Sequence, residues 1–182
     1  MLDAAAPVPT YLYNILSHAR NSISPHLLQV LAAEASHLAG IKDSSADFQH
    51  VIEILATAQT IGRPFSVFIR TEQYLLPGLL LGTSGGVSGL ANVFPELIST
   101  LLEAYKSGEI VRAQSAHQKI LDLEKRLSTF PSISAHYAVL ALRGMEESFP
   151  RRPMRPLNAS ETMRLRKGLQ ELELLDPFSP QE

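Results

Sequence analysis

The sequence predicts an α/β fold: four strand–helix units in succession, followed by a run of helices. Three observations point to it. Short apolar or β-branched runs begin near residues 10, 38, 65 and 85, and each is followed by a segment with helical spacing. From residue 109 onward only helical periodicity remains. The 182 residues are 45% hydrophobic and 19% charged, a composition that suits a folded domain with a core of its own.

The elements follow in order. Thr10–Asn14 is aromatic and β-branched behind Pro9 and reads as a strand. Ser24-Pro25 opens a helix with Ser as N-cap and Pro at the first position, its apolar face carried by Leu27, Leu28, Val30, Leu31 and Ala35. Leu38–Lys42 reads as a buried strand. Asp47 caps a helix over Phe48–Thr60 with Val51, Ile52, Leu55 and Ala58 inward, and Gly62-Arg63-Pro64 stops it. Pro64–Ile69 predicts the third strand and Glu72–Leu81 the third helix, ended by Gly82. Gly85–Ser88 predicts the fourth strand, and Pro95–Lys106 the fourth helix. Helices over Glu109–Ser128, Ser132–Met145 and Glu161–Leu175 complete the chain. The last begins with a capping-box pattern, Asn158 to Glu161, and Asp176–Glu182 reads as a frayed tail.

Strands alternating with helices imply a parallel sheet, and nearly continuous apolar strands imply burial. Four units do not close an eight-stranded barrel, which takes about 250 residues. A half-barrel with a helical tail, a small open sheet and a truncated barrel all fit the pattern. The absence of Cys excludes disulfide and thiolate chemistry. A net charge of −2 gives no global attraction to nucleic acid or anionic membrane. Six His residues, at 18, 26, 37, 50, 117 and 136, form no close ligand pair, so no metal site is predicted. No G-x-S-x-G elbow supports a serine hydrolase. Arg143–Lys167 is basic but carries no interleaved stacking aromatics, and reads as a solvated helix face. With no membrane span and no basic residue before Arg20 to start a signal peptide, a cytoplasmic location is expected.

Three features can carry chemistry. Lys42 ends an apolar strand in Gly40-Ile41-Lys42-Asp43-Ser44-Ser45, at the end of a parallel sheet where such folds place their sites. A lysine there can supply a Schiff-base amine. The competing reading is a strand-end cation paired to Asp43 or Asp47. Tyr13 ends the preceding strand, so its phenol, a proton carrier, can face the same space; the competing reading is a core tyrosine. Gly82 to Asn92 holds four glycines in eight residues around the fourth strand, which lets a ligand approach the backbone closely.

Together these segments resemble the C-terminal part of the dihydrodipicolinate synthase / N-acetylneuraminate lyase family, the pyruvate-dependent class I aldolases. The matching residues are Tyr11-Leu12-Tyr13-Asn14, Gly40 to Ser45 with Asp47, Gly85-Gly86-Val87-Ser88 with Ala91-Asn92 and Pro95, and Arg152-Pro153 to Leu157. The resemblance runs in order over about residues 7–175. It implies the last four βα units of a (β/α)8 TIM barrel over 1–108, then about three C-terminal helices over 109–182. It implies that Lys42 forms an imine with pyruvate, that Tyr13 shuttles protons, and that backbone at Gly86 and Val87 lines the pyruvate pocket. No cofactor is implied. The implied substrates are pyruvate or a related 2-oxo acid and an aldehyde.

The departures from the family pattern carry further expectations. Nothing corresponds to the first four strands or to the Gly-Thr-Thr/Ser-Gly-Glu segment that holds the pyruvate carboxylate, so a truncated form is expected. Such a chain should form a homo-oligomer or need a complementary half-barrel. His18 stands where the synthases carry an Arg for the second substrate's carboxylate, which points away from lysine biosynthesis and toward another 2-oxo-acid aldolase. Arg70-Thr71 replaces a Gly-containing strand end, placing a cation where it can bind an acidic substrate or block the site. Dihydrodipicolinate synthase is the alternative within the class. A catalytically silent half-barrel interaction module, or an incomplete gene product, is the alternative outside it.

Overall fold

The computed structural model describes residues 2–145 and 148–175, so the tail expected to fray at Asp176–Glu182 lies outside the described residues. The chain divides into two compact units, residues 1–88 and 89–182.

The first unit is an α/β layer. Helix α1 (Leu2–Ala5) leads into strand β1 (Thr10–Asn14), followed by the short α2 (Leu16–Ala19) and by α3 (Pro25–Glu34). Strand β2 (Leu38–Asp43), helix α4 (Phe48–Thr60), strand β3 (Ser66–Ile69), helix α5 (Leu75–Leu81) and strand β4 (Gly85–Gly86) complete it. The four strands are parallel and lie in chain order, β1-β2-β3-β4. Tyr13, Lys42, Phe68 and Gly85 fall in one register row.

Local chemistry sets the helix starts. Ser24 accepts from the Leu27 amide at 3.2 Å with Pro25 as the first helical residue, and Asp47 accepts from the amides of Gln49 and His50. The predicted helix over Glu72–Leu81 is instead a 3-10 turn (Glu72–Tyr74) that passes into α5. Pro77, which has no amide to donate, then sits in the first turn of α5, where that amide has no intrahelical partner. Gly82 closes α5 at φ +103. Pro64 and Phe65 stay outside β3, since proline cannot join a ladder through its nitrogen.

The core of this unit lies on one sheet face. Ile41, Val67 and Ile69 pack against Leu28 of α3 and Val51, Ile54 and Leu55 of α4, all buried. Leu28, Ala35, Val51 and Leu55 are buried as expected, whereas Leu27, Val30 and Ile52, also expected inward, are exposed, because α3 and α4 turn Ala32 and Ile54 inward in their place. The Arg63 guanidinium donates to the carbonyls of Ala32, Ala35 and Leu38 at 2.6–2.9 Å. It thereby satisfies acceptors left at the C-terminal end of α3.

The second unit is helical. A 3-10 turn (Leu90–Asn92) precedes α6 (Pro95–Lys106), α7 (Ile110–Leu127), α8 (Ser132–Leu142) and α9 (Ala159–Glu171). Leu101, Ala113, Ile120, Leu123, Val139, Leu165 and Leu169 form its buried interior. His117 is buried with the apolar face of α7.

The capping box at α9 closes as its spacing predicts: the Glu161 amide donates to Asn158 Oδ1 at 2.9 Å and the Asn158 amide to Glu161 Oε2 at 2.8 Å. Arg155 adds a bidentate contact to the Glu161 carboxylate at 2.7 Å. The Arg155 bond, then the Asn158 amide, holds the Glu161 carboxyl at about 2, below the ordinary 4.5. A depressed carboxyl stabilises the fold above its unfolded pKa and loses that contribution as pH falls through the folded one. The start of α9 is therefore expected to keep its amide protection at pH 5 and lose it between about pH 4.5 and about 2. Hydrogen exchange across residues 158–162 measures this, and protection that persists unchanged below that window would count against it.

Candidate active site

The C-terminal ends of β1 and β2 bring two of the sequence-predicted residues, Tyr13 and Lys42, together. Side chains alternate along a strand. Leu12, Ile41, Val67 and Ile69 face the helices, so Tyr11, Tyr13, Lys42 and Phe68 occupy the other face. Tyr11 and Tyr13 are each about half exposed there, at 48% and 50%. Gly40 makes room on this face: a Cβ built on it would lie 2.3 Å from the Ser66 carbonyl oxygen and 2.5 Å from the Tyr11 ring. The Tyr11 ring reaches over it toward Phe68, with centroids 5.8 Å apart.

Lys42 Nζ donates to the Tyr13 hydroxyl at 3.0 Å and lies 4.1 Å from the centre of its ring. The competing pairing of Lys42 with Asp43 or Asp47 does not form. Asp43 points to the opposite sheet face, and Asp47 caps α4. The hydrogen bond from Lys42, and next the Ser44 hydroxyl, hold the Tyr13 phenol below its ordinary 10.0. Partial burial opposes them, and the charges of Lys42 and Arg70 add to them. Tyr13 is therefore expected to ionise at a lower pH than a free tyrosine, and Lys42→Met to return it toward 10.0. Ultraviolet titration of each form against Tyr13→Phe reads this directly; an unchanged Tyr13 titration in Lys42→Met would refute it.

The remaining predicted residues lie on other segments. Arg70 follows Ile69 just beyond the end of β3, near enough for its charge to act on Tyr13. Gly86 continues the ladder beside Ile69, and the Val87 amide donates to the Ile69 carbonyl at 2.8 Å. The Ser88 hydroxyl bonds the Glu72 carboxylate beside them. His18 sits on α2, in the segment that follows β1, with its Nδ1 2.9 Å from the Ser17 hydroxyl.

Sequence reading missed a buried polar cluster behind this face. Asp43, 2% exposed, accepts at Oδ2 from Asn14 Nδ2 at 2.5 Å and lies 3.0 Å from His50 Nδ1. At Oδ1 it accepts from the Ser45 amide at 3.0 Å and the Ser45 hydroxyl at 2.5 Å. The available signal was the period of two, which sends Asp43 to the face opposite Lys42. Between Ser45 and Asp47, Ala46 is held at φ +61, a left-handed conformation that disfavours a Cβ. Ala46→Gly is expected to stabilise the fold by about 0.5–1 kcal/mol. A lowered urea midpoint at unchanged m-value would contradict this.

Among the described residues no group of three or more candidate ligands can hold a metal ion, and no helix is long and apolar enough to cross a membrane.

Comparison with known proteins gives a consistent result. A model of the dihydrodipicolinate synthetase family matches residues 2–172. The chain is 33% identical over 171 residues to the 4-hydroxy-tetrahydrodipicolinate synthase of Methanopyrus kandleri, covering 94% of this chain and 56% of that protein. It is 35% identical over 172 residues to an uncharacterised DapA-like lyase of Halobacterium salinarum, covering 94% and 55%. It is also similar to the crystal structure of YagE from E. coli K12, a dihydrodipicolinic acid synthase family protein in complex with pyruvate. There the TM-score is 0.87 at 26% identity, covering 94% of this chain and 58% of YagE. The chain thus spans a little over half the length of these relatives. Its parallel α/β layer and helices share the fold of solved members of that group, and with the family model matched along nearly its whole length, the chain belongs to the dihydrodipicolinate synthetase family.

Proposed function

We propose that this chain carries the reacting end of a Schiff-base-forming 2-oxo-acid aldolase or lyase, as the last four βα units of a (β/α)8 barrel (1–108) with a C-terminal helical region (109–182). The observation that carries the reading is the 3.0 Å contact between Lys42 Nζ and the Tyr13 hydroxyl at adjacent strand ends. Imine formation needs a neutral amine with a proton acceptor beside it, and Tyr13 is that acceptor.

The chemistry follows from these two groups. Lys42 Nζ bonds to C2 of pyruvate or a related 2-oxo acid, and Tyr13 returns a proton to the former carbonyl oxygen. A second proton, from solvent, lets that oxygen leave as water, and the nitrogen lone pair closes the C2–N bond to a protonated imine. In cleavage the C3–C4 bond breaks, its electron pair moves into the enamine, and the C4 hydroxyl proton passes to Tyr13 as the aldehyde departs. Addition runs the same steps backward. Backbone at Gly86 and Val87 lines the 2-oxo-acid pocket, and His18 and Arg70 meet the second substrate. An imidazole at His18 in place of a guanidinium fork favours an aldolase acceptor over the dihydrodipicolinate synthase reaction, which is the alternative within the class.

Borohydride trapping tests the reading. The chain is incubated with pyruvate, reduced and mapped by mass. A gain of about 72 Da on Lys42, the mass of a reduced pyruvyl imine, is expected. Folded protein with no adduct would overturn it. Tyr11 and Tyr13, half exposed on an uncovered sheet face, support a second reading. Parallel sheets are normally covered on both faces, so this face takes a second copy or a complementary half-barrel. In that case the chain alone is a silent interaction module. Sedimentation at several concentrations separates the readings: a monomer throughout would count against the second.

A further inference from the structure

The cluster behind the sheet repeats, on the back, the pairing that the front face uses. Tyr13 and Lys42 are register partners joined at 3.0 Å on one face. The next residues, Asn14 and Asp43, are register partners joined at 2.5 Å on the other. The front pair is partly exposed. The back pair is 1% and 2% exposed.

The Asp43 carboxylate is shared between the segments that follow the two strands. Through Oδ2 it accepts from Asn14 and lies 3.0 Å from His50 Nδ1, and these two side chains both contact the peptide groups of Ile23. The Ile23 amide donates to Asn14 Oδ1 at 3.0 Å, and its carbonyl lies 3.0 Å from His50 Nε2. The two ring nitrogens of His50 thus lie 3.0 Å from Asp43 and from the Ile23 carbonyl. Through Oδ1 it holds Ser45, whose hydroxyl accepts from the Asp47 amide at 3.2 Å. Asp47 in turn caps the helix that carries His50. The circuit therefore runs from Asp43 through Ser45 and Asp47 into α4 and back through His50. The Ser44 amide adds a bond to the Asn14 carbonyl at 2.8 Å. Each strand end is fixed within one residue of a reacting group.

We infer that Asp43 is a positioning residue for the Lys42–Tyr13 pair, acting through Asn14 to lock the ends of β1 and β2 against each other. This rests on the reading of Lys42 and Tyr13 as the reacting pair. It accounts for a buried carboxylate beside the lysine that makes no bond to it. A carboxylate paired directly to Lys42 would hold the amine as a cation. Turned to the back face, Asp43 fixes the strand end and leaves the front to Lys42 and Tyr13.

The test reads the pair itself. Tyr13 ionisation is followed by ultraviolet titration, as the difference from Tyr13→Phe, in the parent chain, Asp43→Asn, Asn14→Ala and His50→Gln. Asp43→Asn and Asn14→Ala are expected to return Tyr13 toward a free tyrosine. His50→Gln, which keeps the Asn14 bond, is expected to leave Tyr13 near the parent and to speed amide exchange over residues 20–24. In borohydride trapping, Asp43→Asn should lower the maximal rate about tenfold at unchanged half-saturating pyruvate. A folded Asp43→Asn with the parent's Tyr13 titration would overturn the inference. So would failure of all three variants to fold, since Asp43 would then be a determinant of folding and not of position. The titration needs no substrate, so a parent that traps no pyruvate would sink the proposed reaction while leaving the positioning result to stand or fall by itself.

Discussion

Lys42→Arg is expected to abolish pyruvate trapping outright. The substitution keeps a cation and a hydrogen-bond donor beside Tyr13 but removes the nucleophile, because a guanidinium does not deprotonate in proteins. The adduct should fall below detection, a loss of more than about 1000-fold, while circular dichroism and the unfolding midpoint stay close to the parent. Lys106, Lys119, Lys125 and Lys167 serve as internal controls in the same peptide map. All four lie outside the α/β unit. An adduct that moves to one of them, or that survives in Lys42→Arg, would remove Lys42 from the mechanism.

The second large effect is structural. Gly40→Ala places a methyl group 2.3 Å from the Ser66 carbonyl oxygen. That oxygen belongs to the ladder between β2 and β3, where Gly40 and Ser66 are register partners, and it cannot retreat without opening the sheet. Tyr11, whose ring would lie 2.5 Å away, can retreat only by leaving its contact with Phe68. Overpacking typically costs about 1–3 kcal/mol, and more where backbone must move. With folded stability of about 5–15 kcal/mol to draw on, a loss of about 3 kcal/mol is expected, or about 10 °C in unfolding midpoint. Thermal denaturation checks it. A midpoint within about 1 °C of the parent would show that the strands accommodate the methyl group.

These effects divide along the line between what sequence shows and what it conceals. Ser24-Pro25, Asp47 and the Asn158–Glu161 box were legible because a cap is satisfied within three residues of itself. The strands at Thr10–Asn14 and near Leu38 were legible because their composition has few other uses. The inward face of a helix was less so. Ile52 and Ile54 are equally apolar, and only the sheet decides that Ile54 is buried. Lys42 and Tyr13 were visible as strand ends, since their sequence neighbours carry the signal. Asp43 was read beside Lys42, yet its partners, Asn14 and His50, lie 29 and 7 positions away. Only the pleat of the strand places them behind the lysine. The short α2 left no trace, because four residues are too few to show a helical period.

The order of the sheet, β1-β2-β3-β4, bears on how the chain comes off the ribosome. Each strand hydrogen-bonds to the one synthesised before it, and none waits for a strand later than its successor. The first unit can therefore grow by accretion, one βα module docking onto a finished edge as translation proceeds. Its loops close over tens of residues, which keeps the entropic cost of each addition small. The clamp between Asn14 and Asp43 closes as soon as the second strand emerges. The end of the sheet that carries Tyr13 and Lys42 is thus closed before β3 and β4 have been made.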